Sequence, residues 1–352
     1  MIKQPNSLKR EAPSEWAGWC ICLFFRVQTE RKAMTTMKAV RIHEFGDVDV
    51  LKYEDVERPE PQAGEVLVRV HAAGINPIDT SSRQYPVPIT TGAKALPFTL
   101  GWDISGEVVA LGEGATHFAP GDEVYGTVRF PDEAKAYSEY ITAPVADIAL
   151  KPRKLTHQEA GAACLSALTA WQALFEVAQL QAGQTILILG GSGGIGHFAL
   201  QLAKWKGAKV ITTTSTRNVE FVRDLGADVV IDYTWQTFPE SVSGVDVVLD
   251  TIGGEELKHA FQVVKPGGLV VTSTAHKGSK VLGEQLAPHY GVTVLLVMVH
   301  PSGKQMAEMA QLFDAGQLKT HLDAIFPLKD VARAHKLSEG GHVRGKLVLT
   351  ME

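Results

Sequence analysis

Cysteine is scarce in this chain: Cys20, Cys22 and Cys164 are the three present in 352 residues. That excludes a disulfide framework and a cysteine-rich zinc lobe, and it suits a reducing, cytoplasmic setting. Neither sign of charge dominates. Against 34 Lys and Arg stand 39 Asp and Glu, a net charge of −5, and no basic stripe is present to hold nucleic acid. Long apolar runs are missing too. Trp16–Phe25 is too short to span a bilayer, and no small-residue cleavage site separates it from Arg26-Val27-Gln28-Thr29-Glu30-Arg31-Lys32. No membrane partner is expected. Repeats and low-complexity tracts are absent, and the twelve histidines show neither H-E-x-x-H nor catalytic-triad spacing.

The length predicts two domains. Residues 1–36 read as an N-terminal extension, disordered or left by an upstream start codon, with Met34 or Met37 as the working start. Cys20 and Cys22 fall inside it without partner ligands. Residues 37–155 are strand-rich: Val66–Ala73, Ile104–Leu111, Gly121–Tyr125 and Ser138–Thr142 are short strands between Gly, Pro and Asp turns. Thr156 and Glu159 form a capping box before an Ala-rich helical run, and a second helix is expected over Leu165–Val177. Residues 156–300 then alternate strands and helices, as a doubly wound parallel sheet does. In residues 301–352 a helix at Gly303–Ala315 precedes a strand–helix pair and a closing strand at Gly345–Leu349. This segment is too small for a core of its own and is expected to return to the first domain.

The densest signal lies between those parts. The apolar strand Thr185–Leu189 runs into Gly190-Gly191-Ser192-Gly193-Gly194-Ile195-Gly196, and a helix begins at once, with Ile195, Phe198, Leu202 and Trp205 on one face. Gly191, Gly193 and Gly196 fit G-x-G-x-x-G. Such glycines close the turn, admit a pyrophosphate to the backbone and let helix and strand pack closely. The helix start then offers unpaired N–H groups to phosphate. A dinucleotide fits. An acid about twenty residues on would bind a free ribose 2′-OH. Here the chain reads Thr213-Thr214-Ser215-Thr216-Arg217-Asn218, with no acid before Glu220. Hydroxyls and the Arg217 fork suit a 2′-phosphate and therefore NADPH, although Ser215 and Thr216 also serve as helix caps.

Four further motifs share one resemblance: Ala73-Gly74-Ile75-Asn76-Pro77-Ile78-Asp79, Pro97–Gly106, Pro120–Gly126 and Leu168–Leu174. From Met37 onward the chain resembles the medium-chain dehydrogenase/reductases, and within them the zinc-independent quinone oxidoreductases related to zeta-crystallin. Gly191 departs from the signature, which has Ser or Ala there, and is expected to cost nothing. The resemblance implies an α/β fold in which a Rossmann sheet accompanies a GroES-like, mostly β catalytic domain. Where zinc-dependent relatives place Cys, His and a third ligand, this chain has Asn76, Trp102 and Leu165, with Cys164 one position out of register. An amide, an indole and an isobutyl group do not build a zinc site, so no metal is expected.

Without a Lewis acid, substrates that delocalise incoming charge are favoured: a quinone or an α,β-unsaturated carbonyl reduced by hydride from NADPH. The resemblance assigns Asn76 to a carbonyl or the nicotinamide ribose, against a plain turn role before Pro77. Asp79 either orients the site or caps a helix. Tyr85 is the candidate proton donor. Thr169 is set near the nicotinamide or bonds its own helix. Tyr233 lies beside the adenosine phosphate or is a half-buried aromatic, and Arg344 and Lys346 reach the cofactor phosphates or are solvated edge charges. The cofactor set is completed by Gly191, Ser192, Gly193, Gly194, Ile195, Gly196, Ser215 and Arg217. Homodimerisation through Val292–Val299 is implied. Two rival functions stay open: an enoyl-thioester reductase, and a non-catalytic NADPH-binding protein with a structural or RNA-binding role.

Overall fold

A computed structural model describes residues 35–90, 95–236, 242–274 and 278–351. The expectations for residues 1–34, Cys20 and Cys22 included, lie outside the described residues. In chain order the first strands are β1 (Thr36–Ile42), β2 (Leu51–Glu57), β3 (Glu65–Ile75), β4 (Phe98–Thr99), β5 (Asp103–Leu111), β6 (Glu123–Thr127), β7 (Tyr140–Pro144) and β8 (Ile148–Leu150). There follow β9 (Thr185–Ile188), β10 (Lys209–Thr214), β11 (Val229–Asp232), β12 (Val245–Asp250), β13 (Val264–Thr272), β14 (Thr293–Leu296), β15 (Leu322–Pro327) and β16 (Lys346–Thr350).

β9 to β14 form a parallel sheet in the order β11-β10-β9-β12-β13-β14. Strand order reverses at β9, so the crevice beyond its carboxyl end is where ligands bind in open α/β sheets. Apolar strands pack on both faces, as sheets buried by helices do. β14 is shorter than expected: its ladder to β13 ends at Leu296.

A second sheet runs β15-β16-β3-β5-β6-β8, and β3 is its axis. One edge of β3 is divided between two partners. Glu65–Arg69 pairs with β7, and Ala72–Ile75 pairs with β16, both antiparallel. The last strand of the chain thus lies against the residues that lead into Asn76. β1, β2 and β4 make a small third sheet.

Helix α1 (Pro77–Gln84) follows β3 directly. Helix α2 (His157–Trp171) opens on the expected capping box: Glu159 N donates to Thr156 Oγ1 at 3.2 Å and Thr156 N to Glu159 Oε2 at 2.9 Å. The expected break at Leu165 is absent. The helix continues through Trp171 into a π-helical turn, Gln172–Val177, because no Gly or Pro after Gly161 interrupts it. By length and hydropathy His157–Val177 resembles a membrane span, but 78% of its apolar window is buried inside the protein. Its small residues allow backbone contact with β3. A Cβ on Gly74 would stand 2.6 Å from Gly161 O, and one on Gly161 would stand 2.8 Å from Ala72 O. Helix α3 (Gly194–Trp205) begins at the glycine-rich turn.

Candidate active site

The turn after β9 is shaped by contact on one side and space on the other. Gly190 holds a φ of +74°, the left-handed region that favours glycine. A Cβ on Gly196 would lie 2.1 Å from Gly190 O, which is the close approach of helix to strand. At Gly193 the nearest obstruction is Gly190 O at 3.3 Å, and no side chain caps α3. Open space over an uncapped helix start is what a pyrophosphate needs. Glycine at 191 fits this turn, as expected, and a larger residue would not. A Cβ there would meet Thr212 Oγ1 at 2.0 Å, and that hydroxyl is fixed to Ile188 O at 2.8 Å.

Beside this cradle, polar groups converge from three segments. Ser192 Oγ accepts from Thr214 Oγ1 at 3.0 Å and from Asn218 Nδ2 at 3.1 Å. The same amide lies 3.4 Å from Ser215 Oγ, and its oxygen accepts from Arg344 Nε at 2.7 Å. Arg344 also donates to Arg217 O at 3.0 Å. The Arg217 guanidinium itself turns to the carbonyl of His342. Tyr233 is exposed, with its N–H on Thr214 O at 3.1 Å. These residues carry hydroxyls, an amide and two guanidiniums with no carboxylate among them, a donor set that fits a 2′-phosphate. Asn218 closes the segment quoted from the sequence, yet nothing in the sequence alone singles it out.

The second half of the site is a buried ionic cluster. Asn76 is 1% exposed. Its Nδ2 donates to Asp103 Oδ2 at 2.9 Å, and its Oδ1 accepts from Lys346 Nζ. A lysine can only donate, so the amide orientation is fixed. Lys346 is buried, not a solvated edge charge. Its remaining donors go to Ile75 O at 2.9 Å and Ser166 Oγ at 3.1 Å, so it faces Asn76 and not the phosphate cradle. Asp103 Oδ1 accepts from Thr127 Oγ1 at 2.8 Å and Leu165 N at 2.9 Å. Asp79 Oδ2 accepts from Asn76 N at 2.7 Å and Tyr137 Oη at 2.9 Å, while Asp79 Oδ1 has no hydrogen-bond partner among the described residues. Asp79 therefore does cap α1 and does hold Asn76.

Two carboxylates share one lysine here. Burial pushes the Asp79 carboxyl up to about 7, with Asp103 adding to the rise and its hydrogen bonds and Lys346 opposing it. Burial raises Asp103 as well and lowers Lys346. The cluster meets the cradle at two points. Gly345 N donates to Ser192 O at 2.8 Å, and a Cβ on Gly194 would lie 3.3 Å from Ser166 Oγ. Ser166 and Asp103 were not singled out from the sequence, though both sit inside or beside quoted motifs.

Other expected residues stand apart. Tyr85 is 47% exposed at the end of α1, six residues and about 9 Å of helix rise beyond Asp79. The Thr169 hydroxyl donates to Leu165 O at 2.6 Å, the bond to its own helix. Trp102 Nε1 donates to Asp132 O at 2.7 Å, and Cys164 Sγ to Ala160 O at 3.1 Å. Among the described residues no group of three or more His, Cys, Asp or Glu is placed to hold a metal ion.

The alcohol dehydrogenase GroES-like domain matches residues 62–153, and the zinc-binding dehydrogenase family matches residues 225–349. The donor set at Asn76, Trp102 and Leu165 does not fit the zinc in that second description. NAD(P)H oxidoreductase RTN4IP1, mitochondrial, of Danio rerio is 34% identical, spanning 90% of this chain and 92% of that protein. NADPH-dependent alkenal/one oxidoreductase, chloroplastic, of Arabidopsis thaliana is 34% identical over 97% of this chain and 86% of its own. The structure of the quinone oxidoreductase from Coxiella burnetii superimposes with a TM-score of 0.85 at 35% identity, covering 90% of this chain and 100% of that one. With its zinc-ligand positions held by Asn76, Trp102 and Leu165, the chain belongs to the zinc-independent branch of the medium-chain dehydrogenase/reductases, among the quinone oxidoreductases.

Proposed function

We propose that the protein is an NADPH-dependent oxidoreductase that reduces a quinone or an α,β-unsaturated carbonyl. The observation that carries this is the Asn76 amide, clamped by Lys346 and Asp103 beside the glycine-rich turn. One Nδ2 hydrogen goes to Asp103, and the second has no partner among the described residues. That donor waits in a nearly water-free site, where a hydrogen bond to a developing oxyanion is strongest. Bound NADPH would supply the hydride. Gly193 and Gly194 would hold its pyrophosphate, and Ser192, Ser215, Asn218, Arg217 and Arg344 its 2′-phosphate, with Tyr233 beside them. Thr169, with its hydroxyl on Leu165 O, would lie toward the nicotinamide end, and exposed Tyr85 would reach the substrate for the closing protonation only from the rim. The relatives named for quinones and alkenals support this substrate class.

Turnover of a quinone and enone panel with NADPH, with products identified, tests the proposal. NADPH binding without any turnover leaves the non-catalytic alternative and sinks this one. The enoyl-thioester reading wants a basic groove for a second phosphate-bearing group, and no structural observation favours it.

The rest of the proposal is architectural. Residues 37–155 with 301–352 make one domain and residues 156–300 the other, as the shared sheet of β3 and β16 suggests. β14 is a sheet edge with exposed Leu295, suited to pairing in a homodimer, which sedimentation equilibrium tests. A cytoplasmic location rests on cysteine usage alone. The Danio and Arabidopsis relatives are named mitochondrial and chloroplastic, so fractionation of cells expressing the full chain decides it.

A further inference from the structure

Asp79 stands at the end of a hydrogen-bonded chain that begins outside the site. Arg83, on α1, is fully buried and donates through Nη2 to Glu339 Oε1 and through Nε to Gly46 O at 3.2 Å. Its Nη1 lies 3.3 Å from His335 Nδ1. Because a guanidinium only donates, His335 Nδ1 is the acceptor and the ring hydrogen sits on Nε2. From there it points at Tyr137 Oη, 3.2 Å away. Tyr137 then spends its own hydrogen on Asp79 Oδ2 at 2.9 Å. Every bond in the chain runs the same way, from Arg83 toward Asp79. Neighbouring hydrogen bonds aligned in this way polarise one another.

The geometry around the chain is tight. Tyr137 is held by backbone bonds to Leu100 and Val40, and its ring fills the space a side chain on Gly101 would need. A Cβ there would lie 2.4 Å from Tyr137 Cδ1. His335 meets that ring edge-on at 5.8 Å. It comes from the helix Val331–Glu339, which packs on α1. Burial holds His335 neutral, its pKa pushed down to about 3. The other charged or titratable groups facing Asp79 are Asp103 from β5 and Lys346 from β16, with Cys164 of α2 behind them.

We propose that Tyr137 and His335 are positioning residues for the Asn76 amide. His335 acts from the helix Val331–Glu339 and Tyr137 from the segment before β7; together they keep Asp79 a hydrogen-bond acceptor, and Asp79 in turn pins the Asn76 backbone. The inference rests on the role given to Asn76 above. Ionised Asp79 is the holding state, so activity rises with pH through the neutral range. Removing the Tyr137 hydroxyl takes away a bond to the charged form, and the acid limb moves to higher pH.

Tyr137→Phe keeps the ring and removes only the hydroxyl. Its kcat falls about tenfold, with the Kd for NADPH unchanged, and the acid limb moves up by about one pH unit. His335→Leu acts the same way. His335→Gln, which can still accept from Arg83 and donate to Tyr137, restores kcat to within about threefold of the parent. A Tyr137→Phe protein with lower Tm but parental kcat and pH profile overturns the proposal. A readout independent of turnover is the ¹³C carboxyl titration of Asp79 in the cofactor-free chain, assigned with Asp79→Asn. Its midpoint rises in Tyr137→Phe. If the parent binds NADPH yet reduces nothing, the proposed function fails alone, and an unmoved Asp79 midpoint then overturns the positioning role.

Discussion

The cofactor cradle and the buried charge cluster touch at Ser166 and Gly345, yet they are made differently. The cradle is mostly backbone, written in one continuous stretch from Thr185 to Asn218 and finished by Arg344. Its side chains run from buried Thr214 and Asn218 to exposed Arg217, and the phosphate binding proposed for it would come from N–H groups that are already aligned. The cluster draws Asn76, Asp79, Asp103, Ser166 and Lys346 from four separate elements and removes them from water. Its charges are costly unless all partners stay in place. The first can be altered piecemeal. The second is all or nothing.

The sharpest way to break that contrast is Lys346→Met. It leaves Asp79 and Asp103 buried without their cation, and removal of one partner from a buried ionic group costs about 3–5 kcal/mol. Urea denaturation near neutral pH measures this. A loss below about 1 kcal/mol, the scale of an exposed ion pair, would show that the cluster is not under electrostatic tension.

Gly191→Ala is the matching test on the cradle. Its Cβ would press on Thr212 Oγ1, and overpacking of this kind costs about 1–3 kcal/mol. Thr212→Ala in the same chain recovers most of the loss by clearing that hydroxyl. If Gly191→Ala alone melts like the parent, the turn adapts more freely than its contacts suggest.

The smallest effect belongs to the phosphate cluster. Arg344→Ala weakens NADPH binding about tenfold, or about 1.4 kcal/mol, while NADH binding changes less than about twofold. Fluorescence titration with both nucleotides reads it. Arg217→Ala should show the same preference, and equal effects on the two nucleotides would remove both arginines from the 2′-phosphate.

The same contrast explains what was legible in the sequence. Strand, glycine turn and helix follow one another in the cradle, so local rules identify it, as they do the Thr156 cap and the helix Gly303–Ala315. They fail where distance intervenes. Lys346 reads as a phosphate ligand or an edge charge because its partners Ile75 and Asn76 lie some 270 residues away. Nothing near Tyr137 or His335 marks them, since each is meaningful only through the other, 198 residues apart. That glycine is required at 191, and not merely tolerated, shows only once Thr212 of the neighbouring strand is seen against it. The misplaced break at Leu165 has another cause. A shift from alanines to bulkier residues resembles a boundary, but it only marks where α2 passes from one neighbouring surface to the next.

The position of Lys346 also sets a schedule for synthesis. β9 to β14 are complete once residue 296 has been made, and domains fold as units while the chain still grows. The parallel sheet can therefore form on the ribosome long before the buried charge cluster has its cation. That cluster waits for Lys346, fifty residues further on. A product that stopped just before Lys346 would still hold β9 to β14 while lacking the clamp on Asn76.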